Sequence, residues 1–378
     1  MWFERMPLEV WFDKYQYEVD YDIGESAVKY LTFDQLGVDL AGLPLRYGYH
    51  KGRPDLRELL AQDYPGLTGE NVIVTSGGSE ANFAIMSALC KPGDHVIVEH
   101  PNYSSMYEVP RSLGCNVELL ELEFNDAFKP DLDKLESMVT PETRIVSLTH
   151  PNNPTGSMIT EDELHRVITI IEKNKTYLLF DETYREMCFD TTLPAASTLS
   201  PRVVSLSSMS KCYGIPGIRL GWAATQNKDL LAQLLAIREQ LSITNNVMSE
   251  AIALKVLNDK ESYLANARKQ IKANRDYVSE WMDRQEDFEW VFPEAGVVAF
   301  PRLKRSTGVD PESLIVSIVE DYRTFTIPGR CFECNNYHFR LGFGADLDEI
   351  KTGLSNVDHA LAGLKQRTSP RPTKQPVS

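Results

Sequence analysis

The sequence predicts an α/β fold: a mainly parallel sheet with helices on both faces, followed by a smaller α+β unit. Three observations predict it. Short apolar runs alternate with helical patterns from Val72 to about Trp222. The residues with chemical potential fall just after the C-terminal ends of those runs, where open α/β sheets gather their ligands. Beyond Lys228 the pattern turns helical and then closes in short strands.

In chain order, Val72-Ile-Val-Thr75 is an apolar, β-branched run that gives way to a Gly-rich turn and a helical pattern. Strands are predicted at His95–Glu99, Asn116–Glu121, Arg144–Thr149, Tyr177–Phe180 and Val203–Ser207, separated by helices such as Glu161–Asn174. Helices follow at Lys228–Leu241 and Val247–Asn258, and a long one from Glu261 to about Arg284 leads into the C-terminal unit. That unit has strands near Glu289–Phe292, Val297–Pro301, Thr324–Ile327 and His338–Gly342, and a final helix from Asp346. The expected organisation is an N-terminal arm with part of the small domain at 1–40, a large domain at 41–260 and a small domain at 261–365. Residues 366–378 are polar and Pro-rich and are expected to be a disordered tail.

Composition narrows the function classes. With 42% hydrophobic content over 378 residues, the chain can bury a large core in about two domains. No run of ~20 apolar residues is present, and Met1-Trp-Phe-Glu4 has neither signal- nor transit-peptide character, so a cytoplasmic location is expected. A formal charge of −15 argues against nucleic acid and anionic membranes as partners. Six scattered cysteines suit reduced thiols. The pair Cys331-Phe-Glu-Cys334 lacks a second pair or a nearby histidine pair, so no metal site is predicted.

The segment Ser207-Ser-Met-Ser-Lys-Cys-Tyr-Gly-Ile-Pro-Gly-Ile-Arg-Leu-Gly-Trp222 points to a cofactor. Lys211 stands among hydroxyls, eight residues before Arg219, an arrangement suited to a Schiff base with pyridoxal 5'-phosphate (PLP). Ser208, Ser210 and Arg219 can meet a phosphate dianion. Three further segments supply the remaining parts. The strand-turn-helix around Gly77-Gly78-Ser79 offers a helix N-terminus to a phosphate. Asn153, in the turn Pro151-Asn-Asn-Pro-Thr-Gly156, can hydrogen-bond the cofactor's phenolic oxygen. Asp181, ending the strand Tyr177–Phe180, can keep a pyridine nitrogen protonated and make the ring an electron sink.

Together, Gly77-Gly78-Ser79, Asn153-Pro154-Thr155-Gly156, Asp181-x-x-Tyr184 and Ser208-x-x-Lys211 with Arg219 resemble fold-type I PLP enzymes of the class I/II aminotransferase family. The resemblance runs over about residues 7 to 362 and implies a seven-stranded-type sheet in the large domain. It implies Lys211 as the Schiff-base lysine, Asp181 as partner of the pyridine nitrogen, and Asn153 and Tyr184 as donors to the phenolic oxygen. Gly78, Ser79, Ser208 and Arg219 match phosphate contacts, and Tyr103 matches the ring that stacks on the cofactor. Tyr47 resembles the tyrosine that reaches the neighbouring subunit's phosphate, which implies a homodimer. Arg340, in Phe339-Arg-Leu-Gly-Phe343, matches the clamp on the substrate α-carboxylate.

Reaction type rests on the N-terminal segment. Ordinary aminotransferases of this class show a Gly-x-Gly-like stretch where this chain has Ile23-Gly24-Glu25-Ser26. Pro7-Leu8-Glu9 with Trp11, Asp22-Ile-x-x-Ser26 and Tyr30-x-Thr32-Phe33 are similar to the capreomycidine synthase and enduracididine-forming subgroup, whose members cyclise or oxidise arginine derivatives. With Arg340 and Asn153, the candidate substrate contacts are Gly24, Glu9 and Glu25, with Asp13 as a further acid; a carboxylate among them would receive a guanidinium or amine. The expected activity is cyclodehydration of a hydroxylated L-arginine to a cyclic guanidino amino acid. The alternatives are transamination with a 2-oxo acid, and arginine oxidation, for which relatives carry a histidine near the position of Glu25. A regulator that binds cofactor without turnover would not need Lys211, Asp181 and Arg340 together.

Overall fold

The computed structural model describes residues 2–368. The chain opens with the helix Pro7–Tyr15, whose proline sits in the first turn, where its missing N–H costs nothing. A two-residue strand, β1 (Tyr21–Asp22), follows.

Seven strands build the central sheet: β2 (Val72–Thr75), β3 (His95–His100), β4 (Asn116–Glu121), β5 (Thr143–Thr149), β6 (Tyr177–Asp181), β7 (Val203–Ser208) and β8 (Gly221–Ala224). Their order is β2-β8-β7-β6-β5-β3-β4. The β4-β3-β5-β6-β7 set is parallel, whereas β8 runs antiparallel to both β2 and β7. β8 was not expected as a strand. Its Gly221-Trp-Ala-Ala224 has little intrinsic β-preference, and it is a strand because it is buried between two neighbours.

Alternate residues of the strands feed two cores. Ile97, Val146, Leu178, Phe180 and Val203 pack with Leu164, Val167 and Ile171 of the helix Glu161–Lys173. Val96, Val98, Ile145, Leu179 and Val204 pack with Ala81 and Ile85 of the helix Gly78–Leu89 and with Leu230 and Leu234 of the helix Lys228–Leu241. The period of two thus puts helices on both faces, each fully buried aliphatic side chain contributing roughly 1.5–3 kcal/mol. Compared with the sequence reading, β6 extends to Asp181 and β7 to Ser208, which puts both residues at the sheet's C-terminal edge.

After the helix Val247–Asn258, the helix Lys260–Asp283 leads to the smaller α+β part. Here β9 (Phe288–Glu289) pairs with β11 (Arg302–Leu303), while β10 (Val298–Ala299) and β13 (Ile327–Pro328) flank β14 (Phe339–Gly342), all antiparallel. β12 (Thr324–Phe325) instead pairs in parallel with β1 of the N-terminal arm. The single strand expected over Thr324–Ile327 is therefore two, because Thr326 changes ladders. Its hydroxyl donates to the Arg340 carbonyl and its own carbonyl accepts from the Trp11 indole. The last helix, Leu347–Thr368, runs past Gln366, where a disordered tail was expected to begin; the rest of that tail lies outside the described residues.

Candidate active site

At the end of β2 the chain turns through Ser76 and Gly77 into the helix Gly78–Leu89, leaving the helix's first N–H groups free of internal partners. Gly77 has φ +89°, and a Cβ there would lie 2.5 Å from an Arg219 guanidinium nitrogen. Arg219 thus lies directly against the turn. It is itself held in the left-handed region, φ 51°, after the 3-10 turn Pro216–Ile218, and its Nη1 donates to the Pro216 carbonyl at 3.0 Å. Ser208 ends β7 on the same edge and is buried, as is Ser210. A positive helix end, a guanidinium and hydroxyls fit a phosphate dianion.

Next to this cradle, Asp181 closes β6 and accepts the Thr183 N–H at 2.9 Å. Burial, reinforced by the nearby Glu99, pushes its carboxyl up to about 6 against the pull of the Thr183 hydrogen bonds. A cationic ring nitrogen is the partner such a carboxylate fits. Tyr103 follows β3, and its hydroxyl donates to Glu9 Oε1 at 3.0 Å. Tyr184 is buried and its hydroxyl donates to the Ser26 carbonyl at 3.1 Å. The residues present therefore fit PLP at both its phosphate and its ring.

Lys211 lies at the centre. Its Nζ is 2.9 Å from Glu25 Oε1, and its backbone carbonyl accepts the Val28 N–H at 2.9 Å. Burial disfavours its charge, but the Glu25 carboxylate beside it wins and holds the ammonium above the ordinary lysine range. Arg340, almost completely buried, directs Nε and Nη2 at the Gly24 carbonyl, 3.0 and 2.8 Å away, and Nη1 at Asn153 Oδ1, 3.1 Å away. This planar fork is set for a carboxylate to replace those neutral acceptors.

The profile of the family described as Aminotransferase class I and II matches residues 35–357. The chain belongs to that family. Among relatives of this PLP-dependent family, capreomycidine synthase of Streptomyces vinaceus is 28% identical over 366 residues, covering 94% of this chain and 93% of the relative. Aspartate aminotransferase of Pyrococcus horikoshii is 24% identical, covering 84% of each. A PLP-dependent aminotransferase from Streptococcus suis 89-1591 superposes with a TM-score of 0.91 at 27% identity, over 96% of this chain and 99% of that one. The PLP-dependent cyclase OrfR superposes with a TM-score of 0.88 at 25% identity, over 97% and 98%.

In this aminotransferase-family chain, Lys211, Glu25, Gly24, Arg340 and Asn153 form one connected set, and Glu9 joins Tyr103 beside it. Asp13 lies apart, exposed and paired with Arg5. Tyr47 is 78% exposed and apart from this set. Two more residues of the set, Asp22 and Tyr30, were quoted from the sequence only as part of the subgroup's pattern, with no role assigned. Asp22 Oδ1 accepts the N–H groups of Gly24 and Glu25, each at 2.9 Å, and burial with the Glu25 charge raises its own carboxyl to about 6. Tyr30 hydrogen-bonds the Glu25 carboxylate. The signal for the first was present, since Asp-x-Gly is an Asx-turn pattern.

Proposed function

We propose that this PLP-dependent enzyme is a cyclodehydratase that converts a hydroxylated L-arginine into a cyclic guanidino amino acid, working as a homodimer in the cytoplasm. The observation that carries the reading is the arm: its carboxylates Glu25 and Glu9 meet Lys211 and Tyr103, on a segment whose pattern is that of the arginine-cyclising subgroup. The similarity to capreomycidine synthase over 94% of the chain supports it.

When bound, PLP supplies an electron sink for the pair released at the substrate Cα. Arg340 receives the α-carboxylate through two parallel N–H bonds and fixes which bond at Cα faces Lys211. Lys211, as a free amine, takes the Cα proton. Asp181 would keep the ring nitrogen protonated, while Asn153, and Tyr184 with its hydroxyl turned from the Ser26 carbonyl, would donate hydrogen bonds to the phenolic oxygen. Glu9 offers its second oxygen to the guanidinium, a charge-assisted contact that separates basic from neutral substrates. Loss of the side-chain hydroxyl as water is followed by attack of a guanidine nitrogen at the carbon it leaves.

The test is to incubate holoenzyme with hydroxyarginines in deuterated water, with and without a keto acid. The expected product has lost the mass of one water, has gained deuterium at carbon, and forms equally well without the keto acid. A product that forms only with the keto acid identifies a transaminase instead, the reading favoured by the close superposition on the Streptococcus suis aminotransferase.

A further inference from the structure

We propose that Glu25 is the proton partner of Lys211: it takes from the lysine the proton released at Cα and delivers it to the departing side-chain hydroxyl. This rests on the cyclodehydratase reading. The geometry that carries it is the 2.9 Å contact between Glu25 Oε1 and Lys211 Nζ, inside a loop that allows the carboxylate little movement. The same oxygen accepts the Ser26 N–H at 2.7 Å, Tyr30 adds a hydroxyl, and Asp22 fastens the backbone from behind. Gly342 backs the loop so closely that a Cβ there would run into the Glu25 carbonyl.

The groups facing this pair are Asp22, Tyr30, Tyr184 and Arg340. Burial pushes the Glu25 carboxyl up, and the charges of Lys211 and Arg340, with hydrogen bonds from Lys211 and Tyr30, bring it down to about 2. Much of that depression depends on the lysine's charge. Once Lys211 is neutral the nearest cation is gone, while burial and Asp22 remain, so the carboxyl gains proton affinity. Arg340 and Tyr30 still act on it, and Glu25 binds a proton more readily when Lys211 lacks one than when Lys211 is charged. That is the behaviour of a relay.

The step balances without an oxidant. Lys211 accepts the Cα proton and passes a proton to Glu25, which becomes a carboxylic acid. For a hydroxyl one carbon from Cα, the acid protonates that oxygen as the C–O bond breaks. Water leaves with the bonding pair, and the pair freed at Cα forms the carbon–carbon double bond. A guanidine nitrogen then adds to the alkene, and its surplus proton returns through Glu25 and Lys211 to Cα. The net change is loss of one water.

The experiment uses Glu25→Gln and Glu25→Asp holoenzymes with two readouts. The first is a pH titration of the ~420 nm band of the lysine-bound cofactor without substrate. Removing the carboxylate charge should lower its midpoint by about one pH unit or more, with Asp restoring part of the shift. The second follows a hydroxyarginine in deuterated water. Glu25→Gln should keep α-deuterium exchange within about tenfold of wild type while product formation falls about a hundredfold or more. An unshifted midpoint, or exchange and dehydration falling by the same factor, overturns the proposal. A wild-type enzyme that dehydrates no hydroxyarginine overturns the function and the delivery step with it; a shifted midpoint then still supports proton pairing of Glu25 with Lys211.

Discussion

The cofactor cradle and the N-terminal arm solve different problems in different ways. The cradle, from Val72 to Trp222, is made by strand ends of one rigid sheet, and each of its parts sits in a local motif. The arm is held by contacts distant in sequence: Trp11 to Thr326, Tyr15 to Glu320, the Asp22 N–H to Glu349 and Lys29 to Asp346. It adds β1 as a strand beside β12 and is also tied to the cradle, where the Val28 N–H meets the Lys211 carbonyl and the Tyr184 hydroxyl meets the Ser26 carbonyl. The sheet fixes which cofactor is bound. The arm brings the acids Glu25 and Glu9 to Lys211 and Tyr103, and in the proposed function it is the part that selects the amino acid and its fate.

Substitutions in the two regions should therefore separate in their readouts. Lys211→Ala removes the reacting amine and should abolish turnover, by about a thousandfold or more, together with the ~420 nm band that borohydride reduction fixes on this lysine. Wild-type rates in this variant would break the assignment of the cradle. Asp181→Asn should cost about a hundredfold or more in turnover while the cofactor stays bound through Lys211, measured by steady-state kinetics.

The same variant tests a pH effect. Without cofactor, burial holds the folded Asp181 carboxyl at about 6, above its ordinary 3.8. The folded chain keeps a proton that the unfolded chain has lost, so this group's contribution to stability falls as pH rises from about 4 through 6, by at most about 3 kcal/mol. A cationic ring nitrogen removes the penalty. The gap in Tm between holo- and apoprotein should therefore widen from about pH 5 to about pH 8 and stay nearly flat in Asp181→Asn, as followed by thermal melts.

In the arm, Glu9→Gln should weaken binding of the basic substrate by about 1.5–3 kcal/mol, ten- to more than a hundredfold in KM, and leave the cofactor spectrum intact. An unchanged KM would make Glu9 only a partner of Tyr103. Gly342→Ala should be the mildest. Its Cβ forces the Glu25 carbonyl and the arm to shift, costing about 1–3 kcal/mol in stability, seen as a lower Tm.

The same contrast decides what could be read from the sequence. That Lys211, Asp181, Asn153, Arg219 and the Gly77 turn would gather near the sheet's edge was legible, because each lies within a few positions of a strand. The order of the sheet strands was not, and β8 escaped because Gly221-Trp-Ala-Ala224 becomes a strand only through its neighbours. The arm's acids were visible, but their partners were not. Glu25 was expected to await a guanidinium; Lys211, which it meets, is 186 positions away, and only the closed fold brings them together. The helix Pro7–Tyr15 went unremarked for a related reason. It is nine residues long, too short to be stable by propensity, and forms through burial of Leu8, Trp11 and Tyr15.

The central claim is that the arm makes this family member a cyclase, and the cofactor band during turnover tests it most directly. Holoenzyme mixed with excess hydroxyarginine and no keto acid should keep its ~420 nm absorbance over many turnovers while a cyclic, dehydrated product accumulates, because cyclodehydration returns the cofactor to Lys211 in each cycle. Loss of the band with stoichiometric formation of pyridoxamine phosphate, from a range of amino acids and with no cyclic product, would contradict it.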